Sequence, residues 1–203
     1  MKNILILLIL SIAFVFAKQH SQIKDSISDQ ILSSMHKPMM DTSFVESKNI
    51  EKDFLANMIP HHQGAINSSK LLLEYSSYKK LKEIAQNIIK AQEKEIIEFK
   101  EILDKKAYKE TKISKKDYEN FVKDEKDIMK KMMHSMHMVK ASKNIEKDFM
   151  QAMIHHHQGA VDLSKQILSL SKDDKIRQIA QNIIETQEKE IQDFKTLLEK
   201  QAK

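Results

Sequence analysis

The 203-residue sequence contains no cysteine, no tryptophan, only two glycines and only two prolines. Without cysteine the chain forms no disulfide bond, offers no thiolate to a metal and cannot be a thiol-anchored lipoprotein. The residues that usually interrupt helices are scarce, and no segment alternates apolar and polar residues as a strand does. Because Lys, Glu, Ile, Leu, Ala and Gln are abundant, the composition predicts an almost wholly helical protein.

The sequence also lacks a long segment of like charges. The formal net charge is +5, but Lys and Glu are interleaved in stretches such as EKEIIEFKE at residues 93–101. This pattern is typical of a solvated helical face and not of a basic patch. We therefore expect no nucleic-acid partner.

The N-terminus contains one lysine followed by the apolar run ILILLILSIAFVFA at residues 4–17. The run is short for a membrane span, and it ends in the small residue Ala17, as secretory signal peptides do. We predict a signal peptide over residues 1–17, export to the periplasm if the source is a Gram-negative bacterium, and no membrane association after cleavage. The alternative is an uncleaved N-terminal anchor.

An internal repeat covers most of the remaining chain. SKNIEKDF occurs at residues 47–54 and 142–149, and IAQNII occurs at 84–89 and 179–184, at a constant offset of 95 residues. Since there are two copies only, the repeat predicts a paired domain and not a solenoid. The predicted divisions are a first repeat unit at 18–104, a linker at 105–117 and a second repeat unit at 118–203.

Each copy has the pattern of a helical hairpin. In the first copy we predict helices over about 49–75 and 79–105, with Asn49 as the N-cap of the first and the short polar turn YSSY between them. A further helix rich in Met and His precedes each hairpin, at about 23–39 and 114–138. Two hairpins predict an all-α protein whose centre is an antiparallel four-helix bundle.

Histidine and methionine are strongly clustered. Eight of the nine His lie in 36–62 or 134–157, and all Met except Met1 lie in 35–58 or 129–153. Methionines that only filled the core would be distributed along every apolar stripe. The clustering therefore indicates a metal site.

Helical spacing assembles the central candidates. Met58 precedes His61 by three residues and His62 by four, so the three side chains project from neighbouring points of one helix. His62 lies in the middle of the apolar stripe and His61 towards its edge, which predicts one core-facing and one rim-facing ligand. The second copy repeats the set as Met153, His156 and His157.

The second helix of each hairpin has polar residues on its apolar stripe. Gln92 and Glu95 occupy such positions, and Gln187 and Glu190 repeat them. A buried amide or carboxylate is costly without a partner. We predict that these side chains meet the imidazoles across the hairpin, where a carboxylate either accepts a ring N–H or binds metal directly.

The helices that precede the hairpins contain further candidate ligands in MHKPMM (residues 35–40) and MKKMMHSMHM (residues 129–138). Thioether and imidazole without thiolate favour Cu(I) and the chemically similar silver ion, with Cu(II) tolerated where histidine predominates. The candidates from these helices are His36, Met39, Met40, His134, Met136 and His137.

Two stretches make the chain resemble a known family: DFLANMIPHHQGAI at residues 53–66 and IAQNIIKAQEKEI at residues 84–96. They resemble the exported, ferritin-like bundle family called domain of unknown function 305, in a tandem arrangement over about 35–103 and 129–198. Because some members are copper-binding proteins of the periplasm, the resemblance implies metal binding through Met58, His61 and His62 and through their counterparts Met153, His156 and His157.

We therefore predict an exported copper-binding protein for sequestration, resistance or delivery, with no catalysis of its own. Its partners would be the metal ion and another copper-handling protein. One alternative is a ferritin-like di-iron or di-manganese oxidoreductase, although no Glu is followed by a His three residues later. Another is a Met-rich helical interaction module that binds no metal.

Overall fold

A computed structural model describes residues 27–142 and 144–201, which form helices and contain no strand. The predicted all-α class is therefore confirmed for these ranges, whereas the predicted signal peptide lies outside them. Within the same ranges, no helix has the length and apolarity to cross a membrane. The helices are α1 (27–41), α2 (Ile50–Tyr75), α3 (Lys79–Lys105), α4 (Lys115–His137), α5 (Ile145–Leu170) and α6 (Asp174–Gln201).

Side-chain caps fix where the helices begin. The predicted cap Asn49 accepts a hydrogen bond from the Lys52 backbone N–H at 2.8 Å, and its counterpart Asn144 caps α5 in the same way. Ser114 caps α4 by accepting from the Asp117 N–H at 3.1 Å. Each cap satisfies one of the N–H groups that have no partner within the helix, so the polar residue before each apolar run sets the helix start.

Helices α2, α3, α5 and α6 pack their apolar sides together as one four-helix bundle. Helices α2 and α3 pack as one hairpin, α5 and α6 pack as the other, and α2 lies against α5. The buried apolar residues form two core clusters, and each contains residues of both hairpins. The first core cluster includes Leu72, Ile88, Phe149 and Phe194, and the second core cluster includes Phe54, Phe99, Ile167 and Ile183.

The two hairpins hold each other through equivalent contacts. The buried carboxylate of Glu51 in α2 accepts from Ser171 Oγ at 2.7 Å, in the turn of the second hairpin, and from the Thr111 N–H at 3.2 Å. In the reverse direction, Glu146 in α5 accepts from Ser76 Oγ at 3.0 Å, in the turn of the first hairpin. Because both pairs are related by the 95-residue offset, the hairpins are arranged with approximate twofold symmetry.

The helices α1 and α4 pack closely on the bundle at its two helix glycines. A Cβ at Gly64 would lie 2.2 Å from the Met35 carbonyl oxygen of α1. A Cβ at Gly159 would lie 2.4 Å from Met132 Sδ of α4. The glycines therefore allow a backbone contact in the first copy and a side-chain contact in the second.

We expect the substitution Gly64→Ala to destabilise the protein by about 2 kcal/mol, because the α1 backbone must move away from the new methyl group. Gly159→Ala should stay within about 1 kcal/mol of the wild type, since the flexible Met132 side chain can shift and alanine favours the helix. Urea unfolding of both variants measures the difference. Equal destabilisation at the two positions would contradict the close backbone packing of α1.

Candidate metal centre

A layer of buried polar side chains separates the two core clusters. On α2, residues up to Met58 belong to the second core cluster and residues from Ala65 onwards belong to the first, and His61 and His62 lie between them. Helices α3, α5 and α6 also pass from one cluster to the other at this height of the bundle. The central polar layer comprises the buried His61, His62, Gln92, His156, His157, Gln187 and Glu190 and the half-buried Glu95.

His61 and His156 meet in the middle of this layer. Their ring centroids lie 3.8 Å apart with the rings tilted by 40°, and both side chains are fully buried. His61 Nε2 also lies 3.3 Å from the thioether sulfur of Met132, which α4 contributes. Two imidazoles from the two repeat copies and one thioether therefore converge at the centre of the bundle.

His62 and His157 lie beside the central pair, each against a carboxylate of its own hairpin. His62 Nε2 is 2.8 Å from Glu95 Oε2, and His157 Nε2 is 2.8 Å from Glu190 Oε2. At this distance a protonated Nε2 donates to the carboxylate oxygen and the contact orients the ring, whereas a deprotonated Nε2 is left without a hydrogen-bond donor. Such a separation also suits two donor atoms that approach one cation.

Burial keeps the central imidazoles neutral. Desolvation lowers the pKa of His61 well below its usual 6.5, and the neighbouring His62 and His157 lower it further. Desolvation likewise lowers the pKa of His156, with His61 as the next cause. A neutral imidazole has one nitrogen lone pair, which is the form that binds metal ions.

The central polar layer is unfavourable for stability as it stands. Among the described protein groups, no hydrogen-bond partner is available to His61 Nδ1 or to either ring nitrogen of His156. The buried Oε1 atoms of Gln92 and Gln187 also have none. Each buried polar group without a partner costs about 1–3 kcal/mol, so packing gives no reason for this layer. A bound ion would satisfy the imidazoles.

The donor set of the centre is poor in carboxylate. In the described part of the chain, no three or more His, Asp or Glu side chains are grouped closely enough to hold an ion by themselves. The convergent donors are the imidazoles of His61 and His156 and the sulfur of Met132. This set differs from the carboxylate-rich sites of di-iron bundles.

A second pair of histidines lies between α1 and α4. The ring centroids of His36 and His137 are 4.9 Å apart, and His36 is buried while His137 is exposed. Burial lowers the pKa of His36, with His137 as the next cause. The structure thus brings two of the predicted ligands together outside the central polar layer.

The other predicted ligands lie elsewhere. Met58 and Met153 are buried on the same helices as the central histidines. Met136 is also buried, Met39 is half-buried, and His134 and Met40 are exposed, with 70% of Met40 accessible.

One sequence interpretation is wrong and one residue was missed. His61 does not face the rim, because α5 and α4 cover the side of α2 from which it projects. Met132 was not among the predicted ligands, although it belongs to the Met129, Met132 and Met136 side of α4. That spacing is the signal by which it could have been found.

Comparisons with known proteins agree with this architecture. The model of the family described as "Domain of unknown function (DUF305)" matches residues 51–198 in a single stretch that includes both hairpins. A short match, 39% identical over 56 residues, joins 28% of the chain to 37% of the length of uncharacterized protein L153 of Acanthamoeba polyphaga mimivirus.

Solved structures have the same fold. CopM in an Ag-bound form is 24% identical, with a TM-score of 0.56, and the match covers 74% of this chain and 95% of CopM. CopM in the Cu(I)-bound form is 23% identical, with a TM-score of 0.55, and the match covers 74% and 96%. A DUF305 fragment from Deinococcus radiodurans is 22% identical, with a TM-score of 0.56 and the same coverages as the Cu(I) form.

Proposed function

This chain belongs to the DUF305 family, and we propose that it is an exported copper-binding protein whose principal site is the central polar layer. The main support is the pair of adjoining, neutral imidazoles of His61 and His156, whose ring centroids lie 3.8 Å apart and which have unpaired nitrogens in the middle of the core. Imidazoles buried in this way bind a cation without first losing a proton.

The donor atoms favour a soft ion. Thioether sulfur from Met132 together with imidazole nitrogen suits Cu(I) and silver, whereas hard ions prefer oxygen. Cu(II) would bind more weakly, at positions where nitrogen predominates. The fold neighbour CopM has been solved with Ag, Cu(I) and Cu(II), which supports this choice of ion.

Each residue of the layer has a role in this proposal. His61, His156 and Met132 hold the ion. His62 and His157 flank it, and Glu95 and Glu190 fix the orientation of these two rings or balance the charge of the ion. The buried sulfurs of Met58 and Met153, one turn before the histidines, are further ligands within reach of the same helix faces.

The proposed role is sequestration of copper or its delivery to another copper-handling protein, with no catalysis. The apolar residues 4–17 support export, and exposed methionine survives an oxidising compartment without forming the disulfides that thiols form. The oxidoreductase alternative has less support, because each half of the central polar layer supplies a single Glu.

Competition with a chromophoric Cu(I) chelator tests the proposal. The wild type, expressed from Lys18, should remove Cu(I) from the chelator and bind it more tightly than Zn(II) or Fe(II). Substituting Met132→Leu should weaken Cu(I) binding about tenfold and change Zn(II) binding little, because only the soft ion gains from sulfur. The exposed Met40→Leu is the matched control. Failure of the wild type to retain Cu(I) would refute the proposed function.

A further inference from the structure

The histidine pair between α1 and α4 is built like a ligand pair. His137 Nδ1 donates a hydrogen bond to the Met133 carbonyl one turn earlier, at 2.8 Å. The His36 ring on α1 lies against the His137 ring, with ring centroids 4.9 Å apart. A ring whose Nδ1–H is held by a carbonyl presents its Nε2 lone pair outwards, which is the arrangement typical of metal-binding histidines.

The Nε2 atom of His36 is a potential metal ligand that none of the described protein groups uses. It is buried and has no hydrogen-bond partner among the described residues. The exposed ring of His137 lies against it, with 34° between the ring planes. One ring oriented by its backbone hydrogen bond and one ring with an unpaired nitrogen therefore lie together at the edge of the bundle.

This surface pair adjoins the buried pair. Both pairs lie next to Gly64 of α2. A Cβ atom built on Gly64 would lie 2.2 Å from the carbonyl oxygen of Met35, the residue before His36, and 3.4 Å from Nε2 of His156. The order from His137 through His36 and the Gly64 position to His156 and His61 therefore leads from an exposed ring to two fully buried ones.

We propose that His36 and His137 form a second ion site, open to solvent, through which Cu(I) reaches the buried site at His156 and His61. This inference rests on the proposed function. The centre adds the Met132 sulfur, 3.3 Å from His61 Nε2, to its two buried imidazoles, so it binds Cu(I) more tightly than the solvent-open pair and draws the ion inwards. His36 connects the two sites, since its ring lies against His137 and the residue before it, Met35, packs at Gly64 beside His156.

The test supplies Cu(I) as its complex with a chromophoric chelator and follows both the equivalents bound and the rate of transfer by stopped flow. His137→Ala should bind one equivalent fewer than the wild type and should load the buried site at least about tenfold more slowly, with unchanged affinity there. The matched control His134→Ala removes an exposed histidine of the same helix, one turn nearer its start, and should change neither quantity.

A wild-type loading rate in His137→Ala would overturn the inference, even if the surface equivalent were lost. Retention of every equivalent in that variant would overturn it as well. A variant in which His61 and His156 are both replaced by leucine should keep the surface equivalent. The surface site is therefore measurable independently, and failure of the buried site to bind copper is distinguishable from failure of the surface pair.

Discussion

Replacing His61 and His156 together by leucine is expected to lower Cu(I) affinity at the buried site by at least about a hundredfold, and to leave the ion-free protein as stable as the wild type or more stable. The affinity falls because both imidazole donors are removed from the centre. Stability is retained because leucine has a similar volume and removes buried nitrogens that have no hydrogen-bond partner, each of which costs about 1–3 kcal/mol.

Chelator competition and urea unfolding of the ion-free double variant measure the two effects. A matched control is Met150→Leu, which keeps the imidazoles and removes a fully buried thioether of α5 that is outside the proposed ligand set. If the histidine variant unfolded much more easily than the wild type, the imidazoles would be stabilising the core. The assignment of the layer to ion binding would then lose its main support.

Glu125 is the second residue for which a large effect is expected. Its side chain on α4 is buried, and its Oε2 has no hydrogen-bond partner among the described residues. Burial, together with the smaller effects of the nearby carboxylates of Asp53 and Glu46, raises the pKa of this carboxyl to about 8. At neutral pH the folded protein therefore keeps Glu125 protonated, whereas the unfolded chain ionises it.

The sign of the pH effect follows from this difference. Below the ordinary pKa of 4.5 both states are protonated and Glu125 imposes no penalty. Between 4.5 and about 8 the unfolded chain has lost the Glu125 proton while the folded protein still holds it, so the free energy of unfolding falls as the pH rises. Above about 8 the loss of stability is complete. The substitution Glu125→Gln should remove this loss and stabilise the protein by up to about 5 kcal/mol at alkaline pH.

Thermal unfolding of Glu125→Gln and the wild type across the acidic to alkaline range measures this effect. The two proteins should have similar stability in acid and should diverge as the pH rises. The exposed residue Glu119 of the same helix provides the control, and Glu119→Gln should follow the wild type. Parallel curves for Glu125→Gln and the wild type would show that Glu125 ionises normally in the folded protein.

Local sequence signals predicted the helices well. The predicted cap Asn49 gave the start of α2, and the predicted helix at about 114–138 agrees with α4, which Ser114 caps, since a cap acts within its own helix turn. The apolar stripe of α3 placed Glu95 towards the first hairpin's histidines, and the structure shows it beside His62. Because the sequence repeats after 95 residues, the same reasoning predicted the start of α5 and the contact between Glu190 and His157 in the second hairpin.

The contacts between non-consecutive helices could not be predicted in the same way. Periodicity gives the face of α2 on which His61 lies, but the position of α4 depends on how Met132 packs beside Gly159. Likewise, nothing in the sequence indicated that His36 of α1 would meet His137 of α4, a hundred residues away, and not the nearer His134. These contacts are set by tertiary packing.

The approximate twofold arrangement of the hairpins has an evolutionary consequence. His61 and His156 are equivalent residues of the two copies, and their rings touch each other across the bundle. One hairpin alone therefore contains half of the centre, and an unduplicated ancestor would have needed to dimerise to assemble it. Two copies in one chain can diverge independently, and Met132 on α4, whose sulfur lies 3.3 Å from Nε2 of His61 and which also packs beside Gly159, is a residue that such divergence could recruit.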